Sequence, residues 1–169
     1  MSATETGGAV TEFLNWVYRL SKGLYTIAGI TLTFIMIVTV TDVILRFLGR
    51  PIVGVYELVA FSGAIVIGFS IPFTSWVRGH IYVDFLLLKL SPARRKVFHL
   101  STRSLALALF FLIGWNLLKM GADLWRSGEV SPTLQMPFFP IVFGVGVSCL
   151  VQSLVLLADM VKILRGRYE

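Results

Sequence analysis

Apolar positions along the chain fall into four long runs separated by short polar punctuation. "GLYTIAGITLTFIMIVTV" opens at residue 23 and continues to about Leu45, and "VYELVAFSGAIVIGFSIPFTSW" covers 55–76. "LSTRSLALALFFLIGWNLLKM" covers 100–120 within a longer helical stretch from Pro92 to Arg126, and a fourth run extends from Phe138 to about Met160. Each reaches the roughly 20 residues needed to cross a bilayer core. The pattern predicts a single all-α integral membrane domain, 1–169, with four transmembrane helices. Gly49 and Pro51 break the connection "RFLGRPIVGVY". Short connections imply antiparallel neighbours, so the expected arrangement is an up-down bundle. Residues 1–12 are small and polar and are expected to fray. Trp16, Tyr18 and Tyr25 around Arg19 and Lys22 have the character of an interfacial anchor.

"RGHIYVDFLLLKLSPARRK", 78–96, is too polar to span and too apolar to be an ordinary loop. Read as a helix over about 80–90, it places His80, Asp84 and Ser91 on one narrow stripe, with Lys89 elsewhere and aliphatic or aromatic residues around the rest. A helix lying free on a surface carries a wide polar face. This segment is therefore expected to be a short arm helix between spans two and three, covered by protein or lipid tails. Ser91-Pro92 reads as N-cap and first position of the next helix. Arg95, His99 and Arg103 follow at i, i+4, i+8, and with Arg94 and Lys96 they are expected to meet lipid headgroups. That helix, about 50 Å long, has to tilt or protrude.

Composition sharpens the class. Of 169 residues, 56% are hydrophobic and 14% charged, against about a quarter charged in soluble domains. Assigning both termini and the 77–103 connection to one side collects 11 of the 15 Lys and Arg there, and the other side keeps Arg46, Arg50, Lys119 and Arg126. Basic residues in short loops favour the cytoplasm, which predicts both termini inside and the arm on the cytoplasmic side. The net charge of +6 then belongs to a membrane-facing surface, which argues against a nucleic-acid ligand. The first apolar run is longer than a signal-peptide core and lacks a cleavage pattern. Cys149 is the only cysteine, which excludes an intramolecular disulfide or a Cys-rich cluster.

The polar residues divide into pairs. Asp42 and Arg46 at i, i+4 form an expected ion pair at the outer end of span one, and Glu57 opens span two with Arg50 nearby. Acids within spans are functional candidates, but structural pairing or contact with an extracytoplasmic partner fits these positions. Asp123 and Asp159 read as solvated helix ends. His80 and Asp84 read as a structural pair; two ligands make no metal site, and neither histidine lies at the membrane depth a bis-histidine haem requires. No metal or cofactor is implied, and no nucleophile triad, phosphate loop or HExxH suggests an enzyme. Ala64/Gly68 and Gly144/Ser148 are small-xxx-small pairs suited to helix contacts, inside the bundle or with another subunit.

With these residues in view, "RFLGRPIVGVYEL", "RGHIYVDFLLLKLSPARR" and "SPTLQMPFFPIVFGVGVSCLVQSLVLL", in this order and spacing over about residues 20–160, resemble the small, Q-type (DctQ-like) membrane subunit of TRAP transporters. The carrying residues are His80, Ile81, Val83 and Asp84, then Ser131, Leu134 and Pro137, with Glu57 at the family's acidic position. Tyr56 departs from the second acid that many members carry. The resemblance implies a bacterial inner-membrane scaffold and docking subunit. Its partners would be a large sodium-coupled permease and a periplasmic binding protein for a carboxylate-bearing solute, whose identity the chain does not reveal. It further implies that the family-motif residues contact the partner. Two other classes compete: an autonomous four-span proton-coupled carrier using Glu57, and a cytochrome-anchoring subunit, which histidine placement disfavours.

Overall fold

The computed structural model describes residues 3–77 and 92–164. Four helices account for nearly all of them: α1 (Ala3–Phe47), α2 (Val55–Trp76), α3 (Pro92–Ser127) and α4 (Phe139–Leu164). All four are long and apolar enough to cross a membrane. The arm expected over 80–90, with His80, Ile81, Val83 and Asp84, lies outside the described residues. So do the side chains of Arg94, Arg95 and Lys96.

Helix α1 corrects the expectation of a frayed start, because the helix already runs from Ala3. At 1.5 Å per residue its 45 residues reach about 67 Å, more than twice a hydrocarbon core. From Ser21 onward its covered positions follow one stripe: Ser21, Leu24, Ala28, Thr31, Ile35, Val38, Asp42 and Leu45. The steps alternate three and four residues, the 3.5-residue period of a left-handed coiled seam. Small and polar side chains recur on it, since lipid tails offer no hydrophobic drive and close backbone approach has to supply the attraction.

Helix α4 is the hub. It packs along α2 and α3 and also touches α1, whereas among the described helices α3 packs appreciably on α4 alone. Across nearly its whole length only Pro140, Val147 and Leu157 are exposed. The contacts set helix direction. Arg103 meets Asp159 while Trp125 stacks on Phe139 at 5.6 Å, so α3 and α4 are antiparallel. Phe61 meets Phe138 while the Lys162 ammonium sits 3.8 Å from the centre of the Trp76 ring, so α2 and α4 are parallel. Tyr18 on α1 lies 5.8 Å from Trp76, the last residue of α2.

Glycines open the α3–α4 seam. A Cβ on Gly114 would stand 2.9 Å from Leu150 and 3.1 Å from the Gly146 carbonyl. Of the small pairs read from the sequence, Gly68, Gly144 and Ser148 lie in the α2–α4 seam, whereas Ala64 is exposed. Exposed hydroxyls on α1 turn back on their own helix: Thr26 donates to the Lys22 carbonyl at 2.9 Å and Thr33 to that of Gly29 at 3.1 Å. No bare hydroxyl on these residues then faces hydrocarbon.

Candidate functional site

The end of the bundle that carries the two short connections is a platform built around two carboxylates. Residues 48–54 join α1 to α2. Asp42 holds this connection by accepting from Arg46 Nη2 at 2.7 Å through one oxygen and from the Ile52 amide at 2.9 Å through the other. The Arg46 guanidinium also lies 5.6 Å from the centre of the Tyr56 ring. Tyr56 is thus a partner of the Arg46 cation.

Glu57 plays the corresponding role for residues 128–138, which join α3 to α4. Its two carboxylate oxygens accept the amides of Thr133 and Leu134 at 2.8 and 2.9 Å. Charge-assisted bonds of this kind are among the stronger single contacts available to a loop. Arg50, whose proximity suggested an ion pair, makes none among the described residues and is exposed. Backbone amides, already fixed by the loop fold, satisfy Glu57 instead.

The loop itself is closed by Ser131, which is almost fully buried. Its amide donates to the Met136 carbonyl, its carbonyl accepts from the Gln135 amide, and its hydroxyl accepts from the Met136 amide at 3.1 Å. Val130 and Pro137 form an antiparallel bridge across the base. Leu134 drops onto Gly54, whose φ of +76° belongs to the left-handed region and whose missing Cβ leaves room for the Leu134 side chain. Glu57, Ser131, Leu134 and Pro137 therefore converge on one structural unit, although they come from two distant stretches of chain.

At the opposite end of the bundle the expected headgroup stripe is corrected. Arg103 turns inward, donating from Nε and Nη2 to Asp159 Oδ2 at 3.1 and 2.9 Å. The two side chains are only 9% and 10% exposed, and His99, one turn earlier, is buried as well. Asp159 is accordingly an interhelical ion-pair partner and not a solvated helix end. Of the stripe, the His99 and Arg103 side chains are withdrawn from the surface.

Sequence reasoning missed this pair and a second polar seam between α2 and α4. There the Ser148 hydroxyl donates to the Gly68 carbonyl at 2.6 Å, and Gln152 Nε2 donates to Ser75 Oγ at 2.8 Å. The signal was present: Arg103 and Asp159 carry opposite charges near the same end of consecutive antiparallel spans. Among the described residues no group of three or more His, Cys, Asp or Glu could hold a metal ion.

The family model "Tripartite ATP-independent periplasmic transporters, DctQ component" matches residues 35–166, well over half of the chain. Neither the curated proteins nor the solved structures contain a significant match. The matched range takes in both short connections, their carboxylates Asp42 and Glu57, and the α3–α4 ion pair.

Proposed function

The chain belongs to the DctQ component family of the tripartite ATP-independent periplasmic (TRAP) transporters, and from that premise we propose that it is the small scaffold and docking subunit of a sodium-coupled importer. In this reading a large membrane permease carries a carboxylate-bearing solute delivered by a periplasmic binding protein. The chain itself braces the permease in the bacterial inner membrane, with both termini in the cytoplasm.

One observation supports the reading above the rest. The ionisable groups Asp42, Glu57, Arg103 and Asp159 are each committed to an internal bond that closes a connection or a helix seam. A carrier working alone needs ionisable or unwound backbone groups that bind and release an ion at membrane depth. Glu57, on which a proton-coupled carrier would depend, is spent on holding the 128–138 loop. A brace, by contrast, gains from every such bond.

In this proposal the chain meets its partner at two levels. On the cytoplasmic side His80, Ile81, Val83 and Asp84 dock the arm, with Arg94, Arg95 and Lys96 at lipid phosphates. On the periplasmic side the Glu57–Ser131–Leu134–Pro137 platform adds to the docking surface.

Reconstitution tests the proposal. Liposomes holding this chain alone should take up no solute, and sodium-dependent uptake should require the permease and the binding protein together. Asp84→Ala or His80→Ala should loosen assembly without altering solute preference. Uptake by the chain alone would refute the scaffold role.

A further inference from the structure

The face of α3 turned away from α4 carries a polar stripe that no helix among the described residues covers. Asn116, Lys119, Asp123 and Ser127 recur at i, i+3, i+7 and i+11, and all are exposed, as is Met120 between them. They line a shallow open notch of about 490 Å³ on the outer half of the helix.

Helix register sets its depth. Gly121 packs on Phe143, and Trp125 stacks on Phe139. In this antiparallel pair Asp123 therefore lies level with about residue 141 and Lys119 with about residue 145. The apolar run of α4 begins at Phe138, so at 1.5 Å per residue Asp123 sits about 5 Å and Lys119 about 10 Å below that boundary. The solvated helix end expected for Asp123 is thus shifted into the span.

Nor does Lys119 reach back toward water. Its ammonium lies 5.4 Å from the centre of the Trp115 ring, one turn deeper. Among the described residues neither Lys119 nor Asp123 joins an ion pair. Asn116 spends one amide hydrogen on the Leu112 carbonyl at 2.8 Å and keeps its own carbonyl available. Charges at such depth are costly against lipid tails and face protein or a water-filled cavity.

We propose that this stripe is the contact for a transmembrane helix of the permease, one that sets an acidic or amide acceptor level with Lys119 and a donor level with Asp123. The inference rests on the scaffold reading above and adds the face and the chemistry of the contact. Charge complementarity selects this occupant over two others. A second copy inserted in the same direction would bring Lys119 to the depth of Lys119 and Asp123 to that of Asp123, opposing like charges. An anionic lipid phosphate could answer Lys119 but would be repelled by Asp123.

The test uses the full complex, with Met120 replaced by a photo-crosslinking amino acid and with charge variants of the stripe. A crosslink to the permease supports the inference, and a crosslink only to a second copy or to lipid overturns it. Lys119→Met and Asp123→Asn should each lower permease co-purification about threefold, the equivalent of the ~0.6 kcal/mol typical of an interhelical polar contact in a membrane. Lys119→Asp should lower it by more, while the thermal stability of the isolated chain stays unchanged. If unaltered chain captures no permease at all, the scaffold reading itself fails. If it does capture the permease and the variants capture as much, only the stripe is wrong.

Discussion

Ser148 on α4 donates its hydroxyl to the Gly68 carbonyl on α2 at 2.6 Å. That carbonyl is the acceptor which the amide of residue 72 would normally reach, and residue 72 is proline, buried inside α2. Proline has no N–H to give, and a carbonyl stranded in a membrane-embedded helix is costly. Ser148 supplies the missing donor from the neighbouring helix. A defect in one helix is thereby turned into an address for another.

The relationship predicts a non-additive cycle. Ser148→Ala should destabilise the chain by about 0.6–1.7 kcal/mol, the range of interhelical polar contacts in membranes. In a Pro72→Ala background, where the amide of residue 72 can bond Gly68, the same change should cost close to nothing. Alkylation of Cys149, which is buried in the bundle, reports unfolding in detergent. Equal costs in both backgrounds would contradict the account.

Glu57 should act as a loop clamp and not as a titrating carrier group. Glu57→Gln keeps one good acceptor for the Thr133 and Leu134 amides, and Glu57→Ala keeps none. The melting temperature should therefore fall in the order Glu, Gln, Ala. Proteolysis within 128–138 should rise in the same order. A Gln variant as labile as Ala would mean that the carboxylate acts through something other than these amides.

Gly54 and Leu134 form a second, steric lock on the same loop. Gly54→Ala incurs about 1–2 kcal/mol for a left-handed alanine and about 1–3 kcal/mol for the collision with Leu134. In a Leu134→Ala background only the backbone part should persist. Thermal melts of the two singles and the double measure the difference, and strict additivity would exclude the collision.

The Arg103–Asp159 pair should respond asymmetrically to substitution. Removing Arg103 alone strands the buried Asp159 carboxylate, at about 3–5 kcal/mol, and removing Asp159 alone takes the carboxylate acceptor from the Arg103 guanidinium. Replacing both with apolar residues of similar volume, Arg103→Met with Asp159→Leu, should recover most of that loss. Detergent unfolding of the three variants decides the point. A double variant no better than the worse single would show that the pair is not isolated from its surroundings.

How much of this was legible along the chain follows from the solvent the helices face. Run length alone marked four helices, because a span requires about 20 apolar residues whatever its neighbours are. Local sequence also marked the Asp42–Arg46 pair, four residues apart on one turn, and the breaks at Gly49 and Pro51. The seams were a different matter. In water an amphipathic pattern separates core from surface, but in lipid the outward face of α1 is as apolar as its inward face. Ile30, Ile37 and Val43 are exposed while Ser21, Thr31 and Asp42 line the contact stripe. Only small and polar residues flag a seam, and they flag its presence without naming the partner.

Tertiary structure therefore decided what sequence spacing left open. It made α4 the hub and set Glu57 on amides 76 and 77 residues away. It turned Arg103 from the headgroups onto Asp159 and sank Lys119 and Asp123 below the start of α4's apolar run. Each of these depends on how one helix registers against another. That register is set by glycine gaps and unsatisfied carbonyls meeting across the seam, a complementarity between distant segments that no single stretch of sequence contains.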